Sequence, residues 1–314
     1  MHIPDGFLST GVATATWAVA GVGVAAALRA EKRDPQPMPA GILGATAAFV
    51  FAAQMINVPV APGTSGHLVG AALAAVLLGP WRGVIVMTVV LAVQALLFQD
   101  GGMTALGANI VDMGLGGVLT GYAAAALVTR SWPSPRGHVV AGILGAFAAT
   151  LVGATLTAVW LGLSGLYPLS GIVPIMLVTH VAIGLLEATL TGAILVTLVR
   201  WRPDLLKGVT AEGGVANPAA VAAGIVGVAL GIGAFLSPFA SSLPDGLASA
   251  AERLGFAKYA TGAWSAPVPD YVMPFVSSAR IATAAAGAIG TLAVAIVAWA
   301  ISRSLRTPHH AAHQ

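Results

Sequence analysis

The 314-residue chain contains no cysteine. That absence excludes disulfides, thiolate zinc sites and thiol nucleophiles, and says nothing about redox compartment. Charge is almost as scarce. Only 8% of the residues are Asp, Glu, Lys or Arg, against about 25% in a soluble domain, so a water-soluble globule is excluded. No G-x-x-x-x-G-K-[ST] sequence occurs, and the chain cannot hydrolyse ATP in the Walker manner. H-E-x-x-H and G-x-S-x-G are missing too, so no hydrolase motif supports an enzyme. The first basic residue is Arg29, whereas a removable signal peptide begins with positive charge. Leu8–Leu28 is therefore expected to be a retained helix, and the bulk of His2 is expected to keep Met1 in place.

What is present is apolar. Hydrophobic residues make up 57% of the chain, and glycine contributes 39 residues that allow close helix approach. A crossing needs about 20 apolar residues. The candidates are Leu8–Leu28, Ala40–Val58, Leu68–Gly79, Gly83–Phe98, Ala105–Val128, His138–Leu163, Ile172–Val199, Ala219–Leu236 and Ile281–Ile301. Leu68–Gly79 reaches only about 18 Å at about 1.5 Å per residue. Either it is re-entrant or His67 at its start is recessed below the outer surface; the second is preferred.

With the N-terminus outside and all nine segments crossing, the inner loops hold Arg29, Lys32, Arg33, Arg82, Arg130, Arg136, Arg200, Arg202, Lys207, Arg303 and Arg306. Outside lie only Arg253, Lys258 and Arg280. This bias satisfies the positive-inside rule, and it sets Met1, His2 and the His67 loop on one outer face. Because the basic residues sit at segment ends, the net charge of +3 does not point to nucleic acid. A polar stretch over 201–217 reads as a cytoplasmic linker. It separates seven helices over 1–200 from two over 218–306, with a flexible tail at 307–314 carrying His309, His310 and His313. The expected fold is an all-α, multi-pass membrane bundle with an extracytoplasmic N-terminus.

The chemistry starts at the first two residues. A free α-amine and the His2 amide nitrogen close a five-membered ring on a metal ion. The amide and the His2 Nδ1 close a six-membered ring. Three in-plane nitrogens leave one position, which His67 can fill. A planar four-nitrogen site suits Ni(II) or Cu(II) rather than tetrahedral Zn(II). The imidazole must be neutral and the amide must lose its proton, so binding releases protons. A His at a terminus, or at the start of a helix after Pro62-Gly63, has a plain structural reading as well. Asn109 is a candidate to hydrogen-bond the metal ligands or the loop and so hold them in place; a helix cap or a helix–helix hydrogen bond is the alternative. His180 and Glu187 lie seven residues apart on one helix face. At membrane depth they could relay protons, attract a cation, or hold helices together. Gln54 and Gln94 read as helix contacts, and the methionines as packing.

In order along the chain stand Met1-His2-Ile3-Pro4-Asp5-Gly6-Phe7, Gly66-His67-Leu68, Asp100-Gly101-Gly102 with Leu106-Gly107-Ala108-Asn109, and His180 with Gly184 and Glu187. Over about residues 1–200 this resembles the membrane substrate-binding subunit of nickel/cobalt energy-coupling-factor transporters. Ser237-Pro238-Phe239-Ala240-Ser241-Ser242 followed by Pro244-Asp245-Gly246-Leu247 resembles the accessory component, here fused. That component reads Pro-Asp-Gly-Leu-Glu, whereas this chain has Ala248 in place of the Glu. The resemblance implies Met1, His2 and His67 as metal ligands and no catalytic cofactor. It implies Ni(II), or Co(II), as the transported substrate. It also implies a transmembrane coupling subunit and cytoplasmic ATPases as partners in the inner membrane. The rival classes are an independent secondary transporter or channel, and an intramembrane enzyme using His180 and Glu187. The outer loop near 237–280 has no histidine, cysteine or methionine cluster. It is expected to cover the metal entrance without binding the metal.

Overall fold

A computed structural model describes residues 1–36, 38–206 and 217–305. The helices are α1 (Thr10–Arg33), α2 (Ala40–Gln54), α3 (Ala71–Leu78), α4 (Pro80–Phe98), α5 (Leu106–Ser131), α6 (Pro135–Leu163), α7 (Leu169–Trp201), α8 (Pro218–Phe239), α9 (Gly246–Leu254) and α10 (Ala279–Ser304). Each of the nine apolar segments forms a helix, and α9 is the short outer helix expected after Pro244. Among the described residues, seven helices are long and apolar enough to cross a membrane: α1, α4 to α8, and α10. Most of the linker and the whole tail lie outside the described residues.

Two segments depart from simple spans. Ala40–Val58 was expected to cross, but α2 has only 15 residues, about 22 Å at the usual helical rise. Its last helical residue is Gln54, and it cannot continue through Val58, because a residue before proline disfavours the helical region. The chain turns instead into an antiparallel hairpin, β1 (Val58–Ala61) and β2 (Thr64–Gly66), turning at Pro62-Gly63. This hairpin is the exception to an otherwise helical chain among the described residues. Second, α3 has 8 residues. Neither short helix is left facing lipid along its length, because each is packed inside protein. Twelve of the 15 residues of α2 are buried, under α8 and α10. The fit depends on small residues: a Cβ on Gly44 would lie 2.6 Å from the Ala295 carbonyl oxygen, and one on Gly290 would lie 2.2 Å from the Phe51 ring.

The two ends of the bundle differ. At one end, Arg82 at the start of α4 donates to Glu31 (2.6 Å) and Asp34 (2.7 Å), fastening α1 to α4 beside Lys32 and Arg33. At the other end gather the N-terminal segment, the hairpin, the 99–105 loop and the long connection from α8 to α10. Near that end α4 and α5 carry π-helical turns, over Gln94–Phe98 and Ile110–Gly117. Such turns re-aim side chains within a helix, and both adjoin the candidate site.

Candidate metal centre

The first residues run without regular structure as far as a turn at Asp5-Gly6, with Met1, Ile3, Asp5 and Phe7 all buried. Over residues 1–4 this alternation is that of an extended chain. The backbone is gripped at each step. Ile3 donates its amide to Asn109 Oδ1 (2.8 Å), and its carbonyl accepts from the Gly102 amide (2.8 Å) and Asn109 Nδ2 (3.2 Å). Asp5 Oδ1 accepts from the Thr104 amide (2.7 Å) and hydroxyl (2.6 Å), and the Asp5 carbonyl accepts from the Thr261 amide (2.9 Å). Gly6 has φ +89°, and a Cβ there would lie 2.1 Å from the Tyr259 carbonyl, so the turn admits no side chain. Phe7 packs edge-on against Phe256 at 5.3 Å. The Met1 side chain runs toward α6, where a Cβ on Gly153 would meet its methyl at 3.1 Å.

Held this way, the α-amine of Met1 pairs with Asp245 Oδ2 at 2.7 Å. Asp245 is also the N-cap of α9, its Oδ1 accepting from the Ala248 amide at 2.8 Å. Burial alone would raise the Asp245 pKa, but the amine and that amide outweigh it and hold the carboxyl well below the usual range. Ala248 occupies the position where a glutamate would complete a reciprocal capping box. Here only the aspartate half is present.

The His2 ring is 6% exposed. A directed relay sets its tautomer. The Val69 carbonyl accepts from Gln54 Nε2 (2.7 Å), so Gln54 turns its oxygen to Gln94, whose amide donates to it at 2.7 Å. Gln94 must then present its own oxygen to His2, at 3.2 Å from Nε2. His2 therefore donates from Nε2 and keeps Nδ1 as the nitrogen available to an ion. Nδ1 faces Asp100 Oδ1 at 3.2 Å, and the Tyr271 hydroxyl donates to the other oxygen of Asp100 at 2.6 Å. A lone pair opposite a carboxylate requires a positive charge between them, either a proton or a metal ion. Burial and the Met1 amine lower the His2 pKa in spite of Asp100.

His67 lies beside His2, with ring centres 5.8 Å apart and planes 21° from parallel. With metal–nitrogen bonds of about 2.0–2.1 Å, one ion can bridge rings at that separation. His67 donates from Nδ1 to the Leu68 carbonyl (3.1 Å), leaving Nε2 as the lone-pair nitrogen. Burial, the amine and His2 together push its pKa well down, so it stays neutral and able to ligate. The loop that carries it is pinned from α7, where Glu187 accepts the Val69 amide (2.5 Å) and the Gly70 amide (2.9 Å). Glu187 is 1% exposed and His180, on the same face, is fully buried.

Glu187→Gln keeps one acceptor oxygen and turns an amide group toward a backbone N–H. Leaving a buried donor unpaired costs about 1–3 kcal/mol. We expect a destabilised protein whose metal affinity falls less than that of His67→Ala. Thermal unfolding measured alongside metal titration checks this, and selective loss of binding at unchanged stability would contradict it.

The structure thus brings Met1, His2 and His67 together and sets Asn109 against their backbone. Among the described residues no three His, Asp or Glu side chains form a ready metal cluster, so a site here depends on the main-chain nitrogens. Sequence reasoning assigns Gln54 and Gln94 to helix contacts and gives no role to Asp5, Asp100, Asp245 or Tyr271. One signal was available: Asp5 and Asp245 stand in identical Pro-Asp-Gly triplets. The outer connection does not merely lie above the entrance, because its Asp245 touches a candidate ligand.

Residues 2–205 match the family described as the cobalt uptake substrate-specific transmembrane region, and residues 219–307 match the PDGLE domain. The chain is 35% identical to a putative fused nickel transport protein of Archaeoglobus fulgidus, over 98% of this chain and 100% of that one. It is 32% identical to a fused nickel transport protein of Rhodobacter capsulatus, over 98% of each. A cobalt transport protein of Sorangium cellulosum is 37% identical over 66% of this chain and 94% of its own length. A crystal structure described as a transition metal transporter superposes with a TM-score of 0.58 at 31% identity, over 64% of this chain and 93% of that one.

Proposed function

We propose a nickel-binding role in metal uptake for this chain, which belongs to the cobalt uptake substrate-specific transmembrane family and carries a PDGLE domain after it. It is a multi-pass membrane protein of the nickel/cobalt transport type, and its relatives are named as transport proteins rather than enzymes. In our reading the ligands are the Met1 amine, the His2 amide and Nδ1, and His67 Nε2. The observation that carries it is the meeting of a buried α-amine, His2 with Nδ1 available, and neutral His67 within one small volume. The strong in-plane field of four nitrogens favours a low-spin d⁸ ion, hence Ni(II). Co(II) is the second reading, favoured by relatives named for cobalt transport.

The chain has no nucleotide-binding loop, so import against a gradient needs energy from elsewhere. We assign that to a transmembrane coupling subunit and cytoplasmic ATPases, as in energy-coupling-factor transporters. Two measurements test this. Protein beginning at Met1 is titrated with Ni(II) and Co(II), and a diamagnetic planar nickel spectrum with tighter nickel binding is expected. Tighter cobalt binding favours the second reading. Uptake by cells carrying the chain with and without ATPase subunits is then compared, and full uptake without them means an independent secondary transporter.

A further inference from the structure

His180 is fully buried, and its Nε2 has no hydrogen-bond partner. Its Nδ1 lies 2.7 Å from the Met176 carbonyl. A carbonyl only accepts, so the proton is on Nδ1 and Nε2 carries a lone pair. This is the tautomer of a metal-ligating histidine, whose other nitrogen is held by a carbonyl or carboxylate. Nε2 borders a void of about 10 Å³ walled by Met1, His67, Ile183, Asp245 and Gly246. That volume holds one water-sized species. The absence of a side chain at Gly246 preserves the space, because a Cβ there would lie 2.9 Å from Nε2 and 2.7 Å from the adjacent ring carbon.

The geometry points to a staging site for a divalent transition-metal ion, made by His180 Nε2 and the Asp245 carboxylate, between the outer connection and the Met1–His2–His67 chelate. The inference rests on the chelate reading and adds an earlier station to it. One imidazole and one carboxylate suit Ni(II) or Co(II); the void admits one water-sized species, so the ion sheds most of its water ligands on entering it. The apolar wall from Ile183 and Val69 lowers the local dielectric and strengthens both contacts. The site also answers a chemical difficulty. The chelate needs a deprotonated amide, and that proton leaves readily only when a metal ion is already held close by. On transfer the ion exchanges its bonds to His180 and Asp245 for bonds to the amine, the amide and the two imidazoles. The amine and amide protons go to solvent.

A staging ligand changes both rates and leaves the equilibrium alone. The test uses full-length protein with its native amino terminus, mixed with Ni(II) by stopped flow, and compares wild type with His180→Gln and Asp245→Asn. For His180→Gln we expect both association and dissociation to slow by about tenfold or more, within the range over which single substitutions move such rates, while equilibrium affinity stays near wild type. Asp245→Asn should slow association in the same sense. Gln fills the cavity without an imidazole, and thermal unfolding confirms that the variant folds. Should His180→Gln be too unstable, Co(II) absorption of the wild type on the stopped-flow timescale decides the point, because a staged ion gives a transient spectrum that precedes the final one. Unchanged kinetics in a folded variant, or a single-step cobalt spectrum, would mean that the void holds only water. Lost affinity with an unchanged association rate would make His180 part of the final site, which also overturns the proposal. Failure of the chelate reading looks different: blocking the α-amine would then leave nickel affinity untouched.

Discussion

Acetylating the α-amine, or placing one residue ahead of Met1, should abolish tight nickel binding while leaving the protein folded. The amine is one of four in-plane donors and closes the five-membered ring, so blocking it removes a ligand and a chelate ring together. The structure leaves no room to compensate. Met1 is 5% exposed, its side chain is lodged against α6, and residues 3 to 5 are hydrogen-bonded to the 99–105 loop and the outer connection. A residue added ahead of Met1 must displace Asp245 from its 2.7 Å contact. Outer-shell changes at metal sites already cost about 10–100-fold in affinity, and loss of a direct donor should exceed that range. The effect on stability should be small, because Asp245 is partly exposed and keeps its bond to the Ala248 amide. Competition with a chelator of known affinity, on native, acetylated and extended proteins, measures the loss. Equal affinity in the three would remove the amine from the site.

His2→Ala should weaken binding more than His67→Ala, and both by at least about 100-fold, the upper end of what even supporting residues cost. His67→Ala removes one monodentate donor, and water can take the fourth position. His2→Ala removes the imidazole that anchors the ion while the amide loses its proton. It also leaves the Gln54–Gln94 relay without its terminal donor, so the Gln94 oxygen is stranded in a fully buried position. His2→Ala should therefore lose stability as well as affinity, whereas His67→Ala should lose mainly affinity. Titrations paired with unfolding curves separate the two effects. Wild-type affinity in both variants would place the metal elsewhere.

Much of the architecture was legible in the order of residues. Apolar runs of sufficient length mark the helices because a lipid-facing backbone must satisfy its own hydrogen bonds. The placement of Lys and Arg gives an expected orientation, and Met1, His2 and His67 stand out as candidate ligands through the chemistry of their donor atoms. Local sequence also barred α2 from continuing through Val58-Pro59, although the apolar run alone suggested a crossing; the helix ends at Gln54. What composition cannot express is which apolar helix lies against lipid and which against protein. α2 and α3 are as apolar as their neighbours, and only packing hides them within the bundle. The same limit governs the site. Gln54 and Gln94 look like helix glue until Val69, fixed by Glu187, gives their relay a direction. Asp245 lies 244 residues from the amine it pairs with, and Tyr271 lies 171 residues from Asp100. No periodicity links such positions. Donor chemistry belongs to each residue and can be read one position at a time. The partner of a buried polar group is decided only when distant segments close around it and it must find a hydrogen bond or leave one unmade.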